Sequence, residues 1–148
     1  MVTETRTSVR YNSAPIWEKI APKAKITVFH CFNALAGVDL PENPDYEIQC
    51  LKLPCSGMTR EVVFLRAFEA GADAVLVMVC PVGSCHYLQG NLRTAKRVAR
   101  VKKIMDEIGI DGRRLNLFNI SHGDRLTAKR IIDQALAEIA VMGPNPAN

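Results

Sequence analysis

The chain has 148 residues, 48% of them hydrophobic, which is enough for one domain that buries most of its surface and too short to favour two. Its 19 Lys and Arg against 15 Asp and Glu leave a net charge of +4, and only 6% of residues are aromatic. That balance argues against a nucleic-acid binder built on basic stripes and stacking platforms. No apolar run approaches the length of a membrane span, and the opening segment "MVTETRTSVRYNSAPIWEK" lacks the apolar core of a secretory signal. The expected location is cytoplasmic, where thiols stay reduced. Five cysteines then stand out. In that compartment clustered cysteines point to metal binding or catalysis rather than a disulfide framework, and an odd number fits disulfide pairing poorly.

In chain order, residues 1–24 carry little hydrophobic periodicity and contain Pro15 and Pro22, so they read as an amino-terminal arm, either a loose tail or a partner-binding extension. Residues 25–143 form the expected domain, and residues 144–148 a carboxyl-terminal tail. "KITVFHC" and "ADAVLVMVC" are β-branched apolar runs of the kind found in buried parallel strands. "YEIQCLKLP" and "RLNLFNIS" are weaker strands, and the charge and Pro54 of the first suit a sheet edge. "TREVVFLRAFEAG" reads as a helix with Thr59 as N-cap and Gly71 just past its end. "NLRTAKRVARVKKIMDEIG" reads as a second helix from Asn91 to Gly109, with Ala95, Val98, Val101, Met105 and Ile108 on its inner face. A third runs from about Asp124 to Ala140, with Ala128, Ile131, Ile132, Ala135 and Ile139 facing inward. Residues 32–45 have room for only a short helix before Pro41 and Pro44. The alternation predicts an α/β fold: a small Rossmann-like or flavodoxin-like parallel sheet of about four strands with flanking helices and right-handed crossovers.

On this layout Cys31 ends the first strand, Cys55 follows the second, Cys80 ends the third, and Cys85 lies in the loop after it. The carboxyl ends of parallel strands share one edge, where such folds bind ligands, so four thiols are expected to converge there. A lone strand cysteine is more often a small core hydrophobe, and Cys50, at period two from Ile48, fits that bland role as a core or edge packing residue. Cys55 and Cys85 fit it poorly. They lie in "PCSGMT" and "PVGSCH", where Gly57 and Gly83 let the backbone curl around a ligand. The C-x4-C spacing of Cys80 and Cys85 differs from zinc-ribbon pairs and also occurs in iron–sulfur loops, so spacing leaves a cluster, zinc, and reactive or structural thiols as alternatives. Helix starts after Cys55 and Cys85 would favour thiolate in any of these cases.

The segment "PCSGMTREVVFLRAFEAGADAVLVMVCPVGSCHYLQGN" resembles the delta subunit of methyl-viologen-reducing hydrogenase and the related hydrogenase iron–sulfur subunits. The likeness covers most of residues 25–143. Its most specific parts are the P-C-S-G turn, the G-A-D-x-V-L-V run, and the cysteine loop followed by His86, Tyr87, Gly90 and Asn91. The resemblance implies a [2Fe–2S] cluster held by cysteines, here Cys55, Cys80 and Cys85 with Cys31 as the fourth. It also implies an electron-relay subunit, without catalytic residues of its own, exchanging electrons with a heterodisulfide reductase A-like FAD and iron–sulfur subunit. Such subunits occur in anaerobic oxidoreductase complexes of hydrogenase, formate dehydrogenase, NADH-linked or benzoyl-CoA reductase type. Where the family commonly places two neighbouring cysteines after the first strand, this sequence has Cys31 alone, in "HCFNALAGVD". His30 and His86 adjoin cysteines and are the alternative imidazole ligands, while His122 in "SHGD" reads as a turn residue near a strand end.

Two rival readings remain. A structural zinc protein explains converging thiolates equally well, although an α/β domain of this size needs no metal staple. A phosphatase-like thiolate loop requires C-x5-R, whereas "CSGMTR" places Arg60 one residue early and leaves Cys80 and Cys85 unexplained. The helix from Asn91 to Ile108 carries Arg93, Lys96, Arg97, Arg100, Lys102 and Lys103, which as a segregated basic set suggest either a docking face or a solvated one.

Overall fold

The computed structural model of the chain describes residues 23–31, 34, 40, 44–53, 57, 59–85 and 89–147. Residues 1–22 of the expected arm lie outside them, as do Cys55, His86, Tyr87 and most of the connection after the first strand. Within the described residues the chain runs β1 (Ala24–Cys31), β2 (Tyr46–Leu53), α1 (Glu61–Glu69), β3 (Ala74–Val79), α2 (Gly90–Glu107), a 3-10 turn (Gly112–Arg114), β4 (Leu115–Asn119) and α3 (Arg125–Met142). The strands form one parallel sheet in the order β2-β1-β3-β4, the α/β fold that the sequence predicts.

The two central strands are the two most apolar ones, because both of their faces are covered. Side-chain alternation divides β3 cleanly. Ala74, Leu76 and Met78 pack with Ile26 and Val28 of β1 against Ala128, Ile131, Ile132, Ala135 and Ile139 of α3. Val75, Val77 and Val79 pack with Phe29 against Phe64 and Phe68 of α1 and Val98, Val101 and Met105 of α2. Phe29 and Phe64 meet edge to face, with ring centroids 5.5 Å apart. The result is three layers: α3, the sheet, and α1 with α2. As expected from its charge, β2 is an edge strand, and Cys50 on it is exposed.

Three local expectations need correction. Thr59 does not cap α1: Arg60 occupies that position without a side-chain bond, and Thr59 is buried. The second helix starts at Gly90, after Gln89, rather than at Asn91. On α2 the buried face includes Thr94 rather than Ala95, and Ile108 is exposed, because the helix ends one residue before it. Asp124 does cap α3, accepting the backbone N–H of Thr127.

At the amino edge of the sheet, the segment after α3 is tied down. Asn145 is buried; its N–H donates to Asp73 Oδ1, and its Nδ2 donates to the carbonyls of Phe68 and Ala72. Asp73 also accepts from the Lys25 N–H, and the Arg114 guanidinium donates to the carbonyls of Asp73 and Pro144. These bonds lock the starts of β1 and β3 together, at the end of the sheet away from the cysteines.

Candidate metal centre

In the order β2-β1-β3-β4, the chain leaves β1 toward β2 and leaves β3 toward β4. The boundary between β1 and β3 is therefore the topological switch point, where outgoing connections diverge and a crevice opens at the carboxyl edge. Cys31 is the last residue of β1, and Cys80 follows the last residue of β3. Both are buried, and the Cys80 thiol donates to the Cys31 sulfur across 3.5 Å. Cys85 is partly buried and packs against the cluster formed by Cys31, Ala34 and Cys80.

The loop between Cys80 and Cys85 is built to turn back on itself. The Ser84 N–H donates to the Pro81 carbonyl at 3.0 Å, and Gly83, at φ 83°, supplies the left-handed backbone this turn needs. Two carboxamides hold the start of the loop. Asn91 Nδ2 donates to the carbonyls of Cys80 (3.1 Å) and Pro81 (3.0 Å), and Asn119 Nδ2 donates to the Cys80 carbonyl at 2.8 Å. Asn91 is only 2% exposed, and its Oδ1 accepts from the Leu92 N–H. Its side chain is thus spent on the cysteine loop and on the first turn of α2.

Of the residues between β2 and α1, the described Gly57 and Thr59 lie beside α2. A Cβ on Gly57 would stand 2.6 Å from Gly90 Cα, so only glycine lets this backbone lie against the first residue of α2. Arg97 of α2 donates from Nη1 to the carbonyls of Gly57 and Thr59, the second at 2.8 Å. Thr59 is 4% exposed, and its hydroxyl has no hydrogen-bond partner among the described residues. Cys55 itself lies outside the described residues. Among those that are described, no group of three or more His, Cys, Asp or Glu side chains is arranged to hold a metal ion.

The histidines divide as follows. His30 is buried; its Nδ1 lies 3.3 Å from the Cys31 carbonyl, and burial lowers its pKa, with the carbonyl contact opposing and the Lys52 charge adding to the shift. His122 is exposed in the turn between β4 and α3, where the Gly123 N–H donates to the Ala34 carbonyl at 3.2 Å and so ties this turn to the residue beside Cys31. His86 lies outside the described residues. Cys50 is remote in kind: it is an exposed edge-strand thiol whose pKa is raised by partial burial.

Sequence reasoning brings Cys31, Cys80 and Cys85 to one edge of the sheet, as the structure does, but misses the roles of Asn91, Asn119 and Arg97. Asn119 ends β4 at the carboxyl edge, and that position was its available signal. Arg97 carried none, since a helical arginine in a basic run reads as solvated.

The sequence matches the model of the family described as methyl-viologen-reducing hydrogenase, delta subunit, over residues 26–143. The chain belongs to this family. It is 36% identical over 112 residues to the vhu iron-sulfur subunit of the F420-non-reducing hydrogenase of Methanocaldococcus jannaschii, covering 76% of this chain and 83% of that one. Over the same coverage it is 34% identical to the corresponding vhu iron-sulfur subunit from Methanococcus maripaludis. It is also 33% identical over 97 residues, 66% of this chain, to 12% of the A-type subunit of the Ferredoxin/F(420)H(2)-dependent CoB-CoM heterodisulfide reductase of Methanosarcina acetivorans. Membership of this family, with relatives that are iron–sulfur subunits, makes the chain an electron-transfer subunit of the iron–sulfur class. No helix among its described residues is long and apolar enough to cross a membrane.

Proposed function

We propose that this delta-subunit chain holds a [2Fe–2S] cluster on Cys31, Cys55, Cys80 and Cys85 and relays electrons to or from a heterodisulfide reductase A-like flavin subunit. The observation that carries the reading is the buried Cys31–Cys80 pair at the switch point, with Cys85 against it. A tetrahedral metal bound to sulfur at about 2.3 Å holds two thiolates roughly 3.8 Å apart, so a 3.5 Å pair needs little movement to share one metal. The cluster would supply one-electron exchange. The residues around it supply the rest. The starts of α1 and α2 face the same edge, and α2 has no acidic residue in its first turn, so its partial positive charge favours thiolate there. The Thr59 hydroxyl, which has no partner among the described residues, suits an acceptor such as sulfur in the Cys55 loop.

The chain reconstituted anaerobically with iron and sulfide is expected to contain about two irons per molecule, measured by metal analysis alongside its visible spectrum. Stoichiometric zinc without iron in native material would instead identify a structural zinc site.

The flavin-subunit partner is supported by the similarity of this chain to a segment of the A-type heterodisulfide reductase subunit. Exposed apolar side chains ring the sulfur edge: Val82 between the cysteines, and Leu92 and Leu126 at the starts of α2 and α3. The basic set on α2 is smaller than the sequence suggests, because Arg97 binds the Cys55 loop, Arg100 pairs with Glu61 at 2.6 Å, and Lys102 donates to Asn116. Arg93 and Lys96 remain exposed near the start of the helix. Reversing both to glutamate is expected to weaken co-purification with the flavin subunit about tenfold at low salt while iron content stays constant. Unchanged assembly of that variant would assign these side chains to solvent.

A further inference from the structure

We infer that Arg97 is a positioning residue for the segment that follows Cys55, joining Gly57 and Thr59 to the helix that also fixes Cys80. This rests on the reading of Cys55 as a ligand, but the contact itself does not. Arg97 is only half-buried on a helix whose neighbouring cations Arg93 and Lys96 are exposed, and its Nη1 reaches two carbonyls, those of Gly57 and Thr59. A guanidinium placed between two backbone carbonyls makes charge-assisted bonds, the stronger kind, and its planar fork fixes direction as well as distance. Those carbonyls stand two and four residues after Cys55.

The other side of the loop is fixed independently. Gly57 lies against Gly90, where side chains are excluded, so the segment is pressed onto the start of α2 while Arg97, two turns along, holds it from the flank. The same helix provides Asn91, which bonds the carbonyls of Cys80 and Pro81. One rigid element thereby holds both sides: Asn91 bonds the loop leaving β3, and Arg97 bonds Gly57 and Thr59 ahead of α1. Neither bond uses a cysteine sulfur. A lysine at 97 keeps the charge and the donors but not the planar, pre-organised guanidinium, and a glutamine loses the charge.

The test uses the full chain in two states. In the metal-free, reduced protein, the rate of Cys55 alkylation by iodoacetamide is followed by peptide mass spectrometry. Arg97→Gln is expected to raise it about tenfold, Arg97→Lys less, and the control Arg100→Gln not at all. In the iron-loaded protein, Arg97→Gln is expected to lose iron to a chelator about 10- to 100-fold faster, the range for outer-shell partners of metal ligands, and to change the electron paramagnetic resonance of the reduced state. Unchanged alkylation and iron loss in Arg97→Gln would overturn the inference. So would losses that merely track a fall in urea midpoint and are not restored in part by Arg97→Lys. If the parent takes up no iron, the cluster reading fails, and the alkylation rates still decide the clamp.

Discussion

Cys80→Ala is expected to abolish iron binding, whereas Cys50→Ala leaves it at the parent level. Cys80 is 3% exposed, its sulfur lies 3.5 Å from that of Cys31, and two asparagine side chains fix its carbonyl. Removing its sulfur deletes one member of the pair while the backbone stays held by the two carboxamides. The loss in metal affinity should exceed the roughly 100-fold that removal of an outer-shell partner costs. The fold should survive, because deleting one buried sulfur beside Cys31 and Ala34 costs on the order of 1 kcal/mol. Cys50 shares none of these features: it lies mid-strand on the sheet edge, pairs in register with Val28, and is exposed. Iron per chain and the visible spectrum, read beside a urea midpoint, separate the two cases. Equal bleaching of both variants would show that the ligand set is wrongly drawn.

That contrast was legible in the sequence, because it depends on which cysteines end strands and which sits inside one. The strand order was not. "KITVFHC" and "ADAVLVMVC" announce central strands by their apolar runs, but nothing local says that they are neighbours with the switch point between them; that follows from pairing at long range. The helix starts were misread for a related reason. Thr59 and Asn91 are residues with strong capping propensity, and each is claimed by tertiary contacts: Asn91 by the Cys80 and Pro81 carbonyls, and Thr59 by burial in a loop bound to Arg97. Propensity is a local preference of a few tenths to 2 kcal/mol, roughly, and a buried side chain that satisfies two carbonyls outweighs it. Arg97 shows the converse. A basic run on a helix is usually a solvated face, and a carbonyl partner about 40 residues earlier in the chain leaves no periodic signal.

Gly57→Ala is expected to destabilise the chain by about 1–3 kcal/mol and to accelerate iron loss, although alanine is the smallest side chain that could be introduced. The added Cβ would stand 2.6 Å from Gly90 Cα, 3.0 Å from its oxygen and 3.2 Å from its carbonyl carbon. All three are backbone atoms, so no rotamer change relieves the contact, and either the Cys55 loop or the first turn of α2 must move. Both motions disturb the candidate centre: the first pulls the loop from Arg97, and the second displaces Asn91 from Cys80 and Pro81. Gly83 supplies the comparison, because its requirement is opposite in kind. At φ 83° it needs a left-handed backbone, yet nothing lies within 4 Å of a Cβ built there. Asparagine tolerates that conformation, so Gly83→Asn should cost little, while Gly57→Asn should be at least as harmful as Gly57→Ala. Urea midpoints of the three variants, with iron retention against a chelator, test the distinction. If Gly57→Asn proved as mild as Gly83→Asn, the contact between the Cys55 loop and α2 would not be what holds this edge of the protein together.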